Sequence, residues 1–319
     1  MLLNRRQGVV IMINLFNVNN YNIDTSHYSN FLHDKCVTEF ENEFADYVGA
    51  KYACSANSAS SLLFLSLMRY APTVVKIPTM MPIVVPNVIT NTNHKIVFYD
   101  DPNWVGHYYH LHDNIYDSAQ EVSRNIYKNL NNDNAMMVFS FYPTKPVSSC
   151  DGGMVVSNDY DTIQYFKTMT MNGTTQSNDS WKRVQTTAGY KMHINSIQAS
   201  IAQSNLKKLD TKNKILDEIK KAYNQVFGIN NTSNHLYRIR VKYNALFVKQ
   251  MADVGIQCGI HYDICHNKTF FNCDQQSLPL SEATSKQYVS IPFHEALSVD
   301  DIKKVVLYTQ KFAKENVNE

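Results

Sequence analysis

The stretch Met136-Met137-Val138-Phe139-Ser140-Phe141-Tyr142-Pro143-Thr144-Lys145-Pro146, followed at Asp151-Gly152-Gly153 by a tight turn, decides how this chain is read. Its opening residues (136–140) form an apolar run of strand length, the pattern of a strand buried on both faces. A proline-bounded loop then ends on a lysine. Most loop lysines are solvated surface groups, but strand ends are where ligands collect in open α/β sheets. A lysine desolvated there has a lowered pKa and can attack an aldehyde to form a Schiff base.

Outward from this strand, further strand candidates lie at 51–54, 74–77, 83–85, 96–99, 114–116 and 154–157, with helical or loop segments between them. Apolar strands alternating with helices predict an α/β fold with a mainly parallel central sheet. One helix is predicted over 37–49, where Phe40, Phe44, Tyr47 and Val48 recur at helical spacing, Thr38 with Glu41 forms a capping box, and Gly49 supplies a stop. The polar turn Asn57-Ser58-Ala59-Ser60 precedes an apolar helix over 61–70, which makes it a candidate anion site. A long helix runs from 194 to about 227, with Ile197, Ile201, Leu206, Leu209, Ile215 and Ile219 on one side and lysines on the other. Beyond it, a strand (236–241), a helix (245–254), strands at 256–262 and 287–291, and a last helix opened by Ser298 and Asp301 predict a smaller α+β domain. That helix is expected to bury Ile302, Val305, Val306 and Phe312.

The composition narrows the class. In 319 residues, 44% apolar content is enough for a large core, while 18% charged residues and a formal net charge of +2 exclude a disordered chain and a polybasic nucleic-acid binder. The longest apolar stretch, 74–89, is broken by Lys76, Pro78, Pro82 and Pro86, so no membrane partner is expected. Residues 1–11 read as a loose extension, with Met12 an alternative start and no cleavage site of a secretory signal. The cysteines, Cys36, Cys54, Cys150, Cys258, Cys265 and Cys273, are scattered in a chain that needs no staples, which suits reduced thiols in a cytoplasm. Cys258, His261, Cys265, His266 and Cys273 lack a CxxC pair and have irregular spacing, so no metal site is expected.

A second chemical residue stands at another strand end, in Asn114-Ile115-Tyr116-Asp117-Ser118-Ala119-Gln120. Taken alone, Asp117 reads first as a helix cap. Taken with Lys145 and the turn at 57–60, it suggests a pyridoxal phosphate site: a lysine for the cofactor aldehyde, an aspartate for the pyridine nitrogen, and a helix N-terminus for the phosphate.

The ordered set of motifs then becomes specific. Phe40-Glu41-Asn42-Glu43-Phe44-Ala45 with Tyr47-Val48-Gly49, Asn57-Ser58 with Ser60, Asp117-Ser118-Ala119-Gln120, and Phe139 through Lys145 with Asp151-Gly152-Gly153 follow one another. After them come Gly189-Tyr190-Lys191, Ile197-Gln198-Ala199, Gly259-Ile260-His261-Tyr262, Leu278-Pro279 and Ser290-Ile291-Pro292. In this order the chain resembles the DegT/StrS-type (DegT/DnrJ) sugar aminotransferases, fold-type I pyridoxal phosphate enzymes that act on nucleotide-linked ketosugars. The resemblance implies an aspartate aminotransferase-like fold and the cofactor pyridoxal 5'-phosphate. It also implies glutamate as amino donor, a nucleotide-linked ketosugar as acceptor, a homodimer, and a role in glycan or polysaccharide biosynthesis.

Carried onto these positions, the resemblance makes Lys145 the Schiff-base lysine and Asp117 the partner of the pyridine nitrogen. Gln120 would contact the ring. Ser140, the amide of Ala59 and the hydroxyl or amide of Ser60 would hold the phosphate, and Lys191 would reach the partner subunit's phosphate. His261 and Tyr262 fall near the active-site mouth. The implied organisation is an arm (1–37), a cofactor-binding domain (38–206) and a small domain (207–319). The bland alternatives are a capping Gln120, a surface Lys191 and a satisfied buried His261.

The chain departs from the family pattern at several places. Ala59-Ser60 replaces Gly-Thr, and Met80-Met81-Pro82 stands where an aromatic usually faces the ring. A helix and strand are nearly absent between Asp101 and Asp117. The shortened segment is rich in rings, with Trp104 expected as a packing plug and His107 and Tyr108 as substrate-binding candidates. Two other readings remain open at this point: a pyridoxamine-phosphate-dependent sugar dehydratase, whose members carry histidine in place of Lys145, and a cofactor-free binding subunit.

Overall fold

The fold was analysed in a computed structural model, which describes residues 12–18, 21–176, 183–274 and 277–315. The extension expected over 1–11 lies outside the described residues. Asp34, in extended backbone, opens α1 (Lys35–Val48) by accepting from Cys36 N at 3.1 Å, so the helix starts upstream of the Thr38–Glu41 box. Glu41 is buried instead of capping. It accepts from Ser55 N at 2.8 Å and Ser55 Oγ at 2.7 Å, and Lys167 Nζ lies 3.1 Å from its other oxygen.

The chain continues through β1 (Tyr52–Ala56), α2 (Ala59–Leu67), β2 (Val74–Pro78), α3 (Val84–Asn91), β3 (Lys95–Tyr99), β4 (Tyr109–His112) and β5 (Ile115–Asp117). Next come β6 (Met136–Ser140), β7 (Gly153–Ser157), α4 (Tyr160–Thr170) and the antiparallel pair β8 (Thr174–Gln176) and β9 (Arg183–Gln185). The 32-residue α5 (Ser196–Phe227), held by a full Asn195–Gln198 capping box, leads to β10 (Tyr237–Arg240), α6 (Asn244–Asp253), α7 (Pro279–Thr284), β11 (Tyr288–Ile291) and α8 (Val299–Glu315). Among the described residues no helix is long and apolar enough to cross a membrane.

The central sheet has the order β1-β7-β6-β5-β4. The α/β architecture is as expected, but the sheet is mixed: β5 and β6 are parallel, while β1–β7, β6–β7 and β4–β5 are antiparallel. Burial of both faces, not strand direction, makes an uninterrupted apolar run. Alternate residues of β6 and β7 serve opposite layers. Met137, Phe139, Met154 and Val156 pack with Phe40 and Phe44 of α1 and Ala202 and Leu206 of α5, while Met136, Val138 and Val155 pack with Leu62 of α2 and Phe166 of α4. A third core joins Leu216, Ile219 and Tyr223 of α5 to β10, β11, α6 and α8.

Three elements differ from the sequence reading. The run at 83–85 opens α3 instead of forming a strand, because a short apolar run has no period of its own and Pro86 is tolerated in a first helical turn. Residues 256–262 pair only through the isolated bridges Ile13–Ile256 and Gly259–Ser290. In α5, Leu216 is buried and Ile215 is 41% exposed, a shift of one position at the end of the predicted stripe.

The segment at 102–114 forms a turn and then the edge strand β4, whose Tyr109 pairs with Asp117. Trp104, Val105 and Leu111 fill the core beneath it, the plug expected of Trp104. The chain before α1 is pinned along the molecule: Ile13 N donates to Gly255 O at 2.9 Å, Asn205 Nδ2 to Tyr21 Oη at 2.9 Å, and Ser196 N to Phe31 O at 2.8 Å.

Gly153, opposite both Ala56 and Ser140 in the sheet, seats the start of α2. A Cβ there would come within 2.5 Å of Ala59 N and 2.8 Å of Ser58 C, both backbone atoms that cannot swing aside. Gly153→Ala should therefore cost about 1–3 kcal/mol of stability through overpacking and lower the melting temperature by several degrees. An unchanged melting temperature would show that α2 does not rest on this residue.

Candidate active site

The ends of β5, β6 and α2 meet at one edge of the sheet. β5 and β6 run parallel with Asp117 opposite Val138, so both strands deliver their last residues to the same end. Phe141 N donates to Gly152 O at 2.9 Å and Ser149 N to Phe141 O at 2.8 Å, closing the loop after β6. Within that loop Lys145 N donates to Tyr142 O at 2.9 Å.

Lys145 is a partly buried residue whose amine is desolvated, and this pulls its pKa down to about 8 against the opposing charge of Asp117. A quarter to a half of such amines are neutral just below that pH, where a solvated lysine is almost fully protonated. Asp117 is 5% exposed, and burial raises its pKa. Three things oppose the rise: Ala119 N on Oδ1 at 2.9 Å, Tyr109 Oη on Oδ2 at 2.9 Å, and the Lys145 charge. Tyr109 lies in the shortened segment, and its role was not visible in the sequence.

The anion cradle is assembled through Gly153, which is paired with Ser140 and packed on Ala59. Ser58 caps α2 by accepting from Ser61 N at 3.2 Å, which leaves the amides of Ala59 and Ser60 in the first turn without intrahelical acceptors. With the Ser140 hydroxyl, they form a set of donors suited to a phosphate. Gln120 is buried with Oε1 on Gly106 N at 3.0 Å, so its oxygen fixes the loop at 104–107.

His261 and Tyr262 stand on the same side of the molecule as Lys145 and Asp117. His261 Nδ1 lies 2.9 Å from Ser290 Oγ, and burial, with the charges of Lys145 and Arg238, holds its pKa down at about 4. Burial and the Asp117 carboxylate push Tyr262 up, against the charge of Arg238. The Tyr262 ring stacks on Trp104, with centroids 6.4 Å apart and planes 14° apart, and Trp104 meets Tyr109 edge-on at 4.7 Å. Met80 and Met81 are buried beneath, with Trp104 Nε1 donating to Met80 O at 3.0 Å.

Three further candidates are His107, Tyr108 and Lys191. His107 is engaged on both ring nitrogens, with Glu121 Oε2 at 3.5 Å and Thr232 Oγ1 at 3.1 Å, and Tyr108 N donates to Glu121 Oε2 at 3.1 Å. The protein contacts of these two residues hold the shortened loop. Lys191 is exposed, while its neighbours are laced into the fold by Tyr190 N on Met169 O at 2.7 Å and Asn57 N on Met192 O at 2.7 Å. His235, not singled out in the sequence, is 6% exposed, stacks on Phe16 at 5.7 Å, and is held well below the usual histidine range by burial and the Lys145 charge. Among the described residues no three His, Cys, Asp or Glu side chains gather to hold a metal ion; His266, for instance, bonds Thr79 and Glu282.

A desolvated amine, a buried carboxylate and a helix-start cradle on one sheet edge form a donor set for an aldehyde, a pyridine nitrogen and a phosphate. The residues present therefore fit pyridoxal 5'-phosphate. Similarity to known proteins agrees. A model of the DegT/DnrJ/EryC1/StrS aminotransferase family matches residues 19–104 and 115–309, leaving out most of the shortened segment. The UDP-4-amino-4,6-dideoxy-N-acetyl-beta-L-altrosamine transaminase of Campylobacter jejuni is 23% identical over 85% of this chain and 88% of its own length. The spore coat polysaccharide biosynthesis protein SpsC of Bacillus subtilis is 24% identical over 85% of this chain and 87% of its own. The fold matches the aminotransferase PseC of Helicobacter pylori with a TM-score of 0.77 and 18% identity, covering 94% of this chain and 99% of that one. With the family match spanning most of the chain and the cofactor's donor set in place, this chain belongs to the DegT/DnrJ/EryC1/StrS aminotransferase family and is a pyridoxal-phosphate-dependent enzyme.

Proposed function

We propose that this enzyme moves an amino group from glutamate to the ketone of a nucleotide-linked sugar, making an amino sugar for glycan or polysaccharide assembly. The observation that carries the reading is the mutual electrostatic influence of Lys145 and Asp117 at one end of the sheet, beside the start of α2. The relatives that act on a UDP-linked amino sugar and in spore coat polysaccharide synthesis support the substrate class.

When bound, pyridoxal phosphate supplies an aldehyde that takes up nitrogen and a protonated ring that withdraws electrons. The residues divide the work. Ser140 and the amides of Ala59 and Ser60 hold the phosphate end. The Asp117 carboxylate favours the protonated ring nitrogen, with Tyr109 and Ala119 fixing its oxygens. Lys145 Nζ holds the aldehyde end and, once displaced, carries a proton to and from the reacting carbon, for which a pKa near 8 suits it. His261 and Tyr262 stand where the sugar would enter. His107 and Tyr108 would support that entrance through the loop they hold.

The working unit in this reading is a cytoplasmic homodimer, each chain with an arm (1–37), a cofactor domain (38–206) and a small domain (207–319). Lys191 reaches the partner's cofactor phosphate. Lys145 disfavours the dehydratase, and the joint presence of Lys145, Asp117 and Ser140 disfavours a cofactor-free subunit. A screen of nucleotide-linked ketosugars with glutamate tests the reading. It predicts an amino sugar and 2-oxoglutarate in equal amounts; loss of a sugar hydroxyl without amination would favour the dehydratase.

Lys145→Ala should abolish transamination and remove cofactor trapped on the protein by borohydride, while leaving the fold intact. Reduced cofactor on another lysine peptide in the wild type would sink the assignment. Asp117→Asn should stay folded yet lose turnover by about 100-fold or more, because a neutral amide no longer favours the protonated ring; near-normal turnover would place that task elsewhere. Lys191→Ala should weaken cofactor retention with dimerisation nearly unchanged, as read by sedimentation and by absorbance after dialysis. A fully active monomer would contradict the shared site.

A further inference from the structure

Gln198, Asn205 and Lys212 are spaced seven apart on α5 and so share one face of the helix. Each meets the loop that carries Lys145. Gln198 O accepts from Ser149 Oγ at 2.8 Å, Asn205 Nδ2 donates to Ser148 O at 2.6 Å, and Lys212 Nζ donates to Pro146 O at 3.4 Å. The last tie is the one next to Lys145 in the chain, and a cation makes it. Lys212 Nζ also lies 3.6 Å from Glu295 Oε2, with 23% and 21% of the two side chains exposed. Glu295 is fixed in turn, its Oε1 accepting from Asn17 Nδ2 at 2.9 Å. Its Oε2 is buried and has no hydrogen-bond partner, so the Lys212 charge is what balances it. Burial pushes the Glu295 carboxyl up, but Lys212 and Asn17 outweigh this and hold it below its ordinary value.

A cavity of about 20 Å³ lies between Thr144, Pro146, Lys212, His235 and Glu295, enough for one water and too small for a ligand. The junction is therefore a contact between elements. An ion pair this far out of water adds little stability by itself, because the desolvation of both groups offsets their attraction. What the pair does here is keep a cationic donor against the Pro146 carbonyl. A charge-assisted bond on that carbonyl restrains the residue after Lys145, and with it the path of the Lys145 stem. We propose that Lys212, balanced by Glu295, is a positioning residue for the cofactor lysine, holding the loop where the Lys145 amine is kept from water. The titratable groups that face this amine are Asp117, His235 and His261. Burial holds both imidazoles below the usual histidine range, so neither changes charge near the pH at which Lys145 titrates.

The proposal rests on Lys145 being the lysine that takes up pyridoxal phosphate. Its test is the pH midpoint of cofactor capture by the full-length apoprotein, together with the rate at which the loaded enzyme loses cofactor on dialysis. Lys212→Met combined with Glu295→Gln removes the pair without changing the net charge. The loop then loosens, water reaches the Lys145 amine, and the midpoint should rise from about 8 by at least about half a pH unit toward the ordinary lysine value. Cofactor should leave the loaded double variant about fivefold faster, the effect of losing roughly one such bond. Lys212→Arg keeps the charge and a donor and should hold the midpoint near the wild-type value. If the double variant fails to fold, Glu295→Gln alone decides: loss of a negative charge would by itself lower the midpoint, so only a loosened loop raises it. A lower melting temperature with an unmoved midpoint would make the pair a structural contact and overturn the proposal, as would unchanged capture and release. Borohydride reduction keeps the two assignments apart. Cofactor on a lysine other than Lys145 would remove the underlying reading, whereas cofactor on Lys145 with an unmoved midpoint would remove only the role of Lys212.

Discussion

Two groups of opposite charge, the Lys145 amine and the Asp117 carboxylate, are taken out of water at the same end of a sheet. Each is costly there, and each offsets part of the other's cost: the carboxylate keeps Lys145 from falling further below the lysine range, and the ammonium opposes the rise of Asp117. Much of the architecture supplies this arrangement. The parallel pairing of β5 and β6 brings the two residues to one edge, and the two closures on Phe141 hold the loop that carries Lys145. The edge strand β4 adds the Tyr109 hydroxyl to Asp117. Removal of water serves the chemistry as well, since an amine near neutrality can both release and accept a proton.

A second dependency is the approach of α2 to the sheet. Gly153 pairs with Ser140 at the end of β6 and lies against the backbone of Ser58 and Ala59, and only a residue without a side chain lets the start of α2 come that close to β7. The methyl group of Ala59, a departure from the family's glycine, is accommodated with 8% exposure because the room is made on the β7 side. The segment before α1 acts at the opposite flank. Phe16 packs on both His235 and His261, so residues far from the sheet in sequence help keep water from the Lys145 side.

The residues of the candidate site could be picked out in the sequence because they lie at strand ends and a helix start that local pattern reveals. Lys145, Asp117, Ser140 and the turn at 57–60 all lie where strand runs stop, and the structure gathers them. The direction of the strands was not legible, since a buried run looks the same parallel or antiparallel. His107 and Tyr108 read as ligand candidates because polar rings in a short loop suit binding; the sequence did not show that the His107 ring also meets Glu121 and Thr232, or that the Tyr108 backbone N–H donates to Glu121. Lys212 was missed for a related reason. It reads as one of the lysines on the wet side of α5, and only the three-dimensional contacts with Pro146 and Glu295 show that it is partly buried against the Lys145 loop.

The electrostatic coupling of Lys145 and Asp117 is the claim on which the account stands, and it can be measured directly in apoprotein. The rate at which pyridoxal phosphate is captured, followed by its absorbance across pH, reports the fraction of neutral Lys145 amine. In the wild type the rate should fall as pH falls through about 8, where Nζ gains its proton, instead of near the ordinary lysine value of 10.5. Because the Asp117 charge supports the protonated amine, Asp117→Asn should move that midpoint to lower pH. A midpoint near 10.5 in the wild type, or one that stays in place when Asp117 is neutralised, would contradict the coupling.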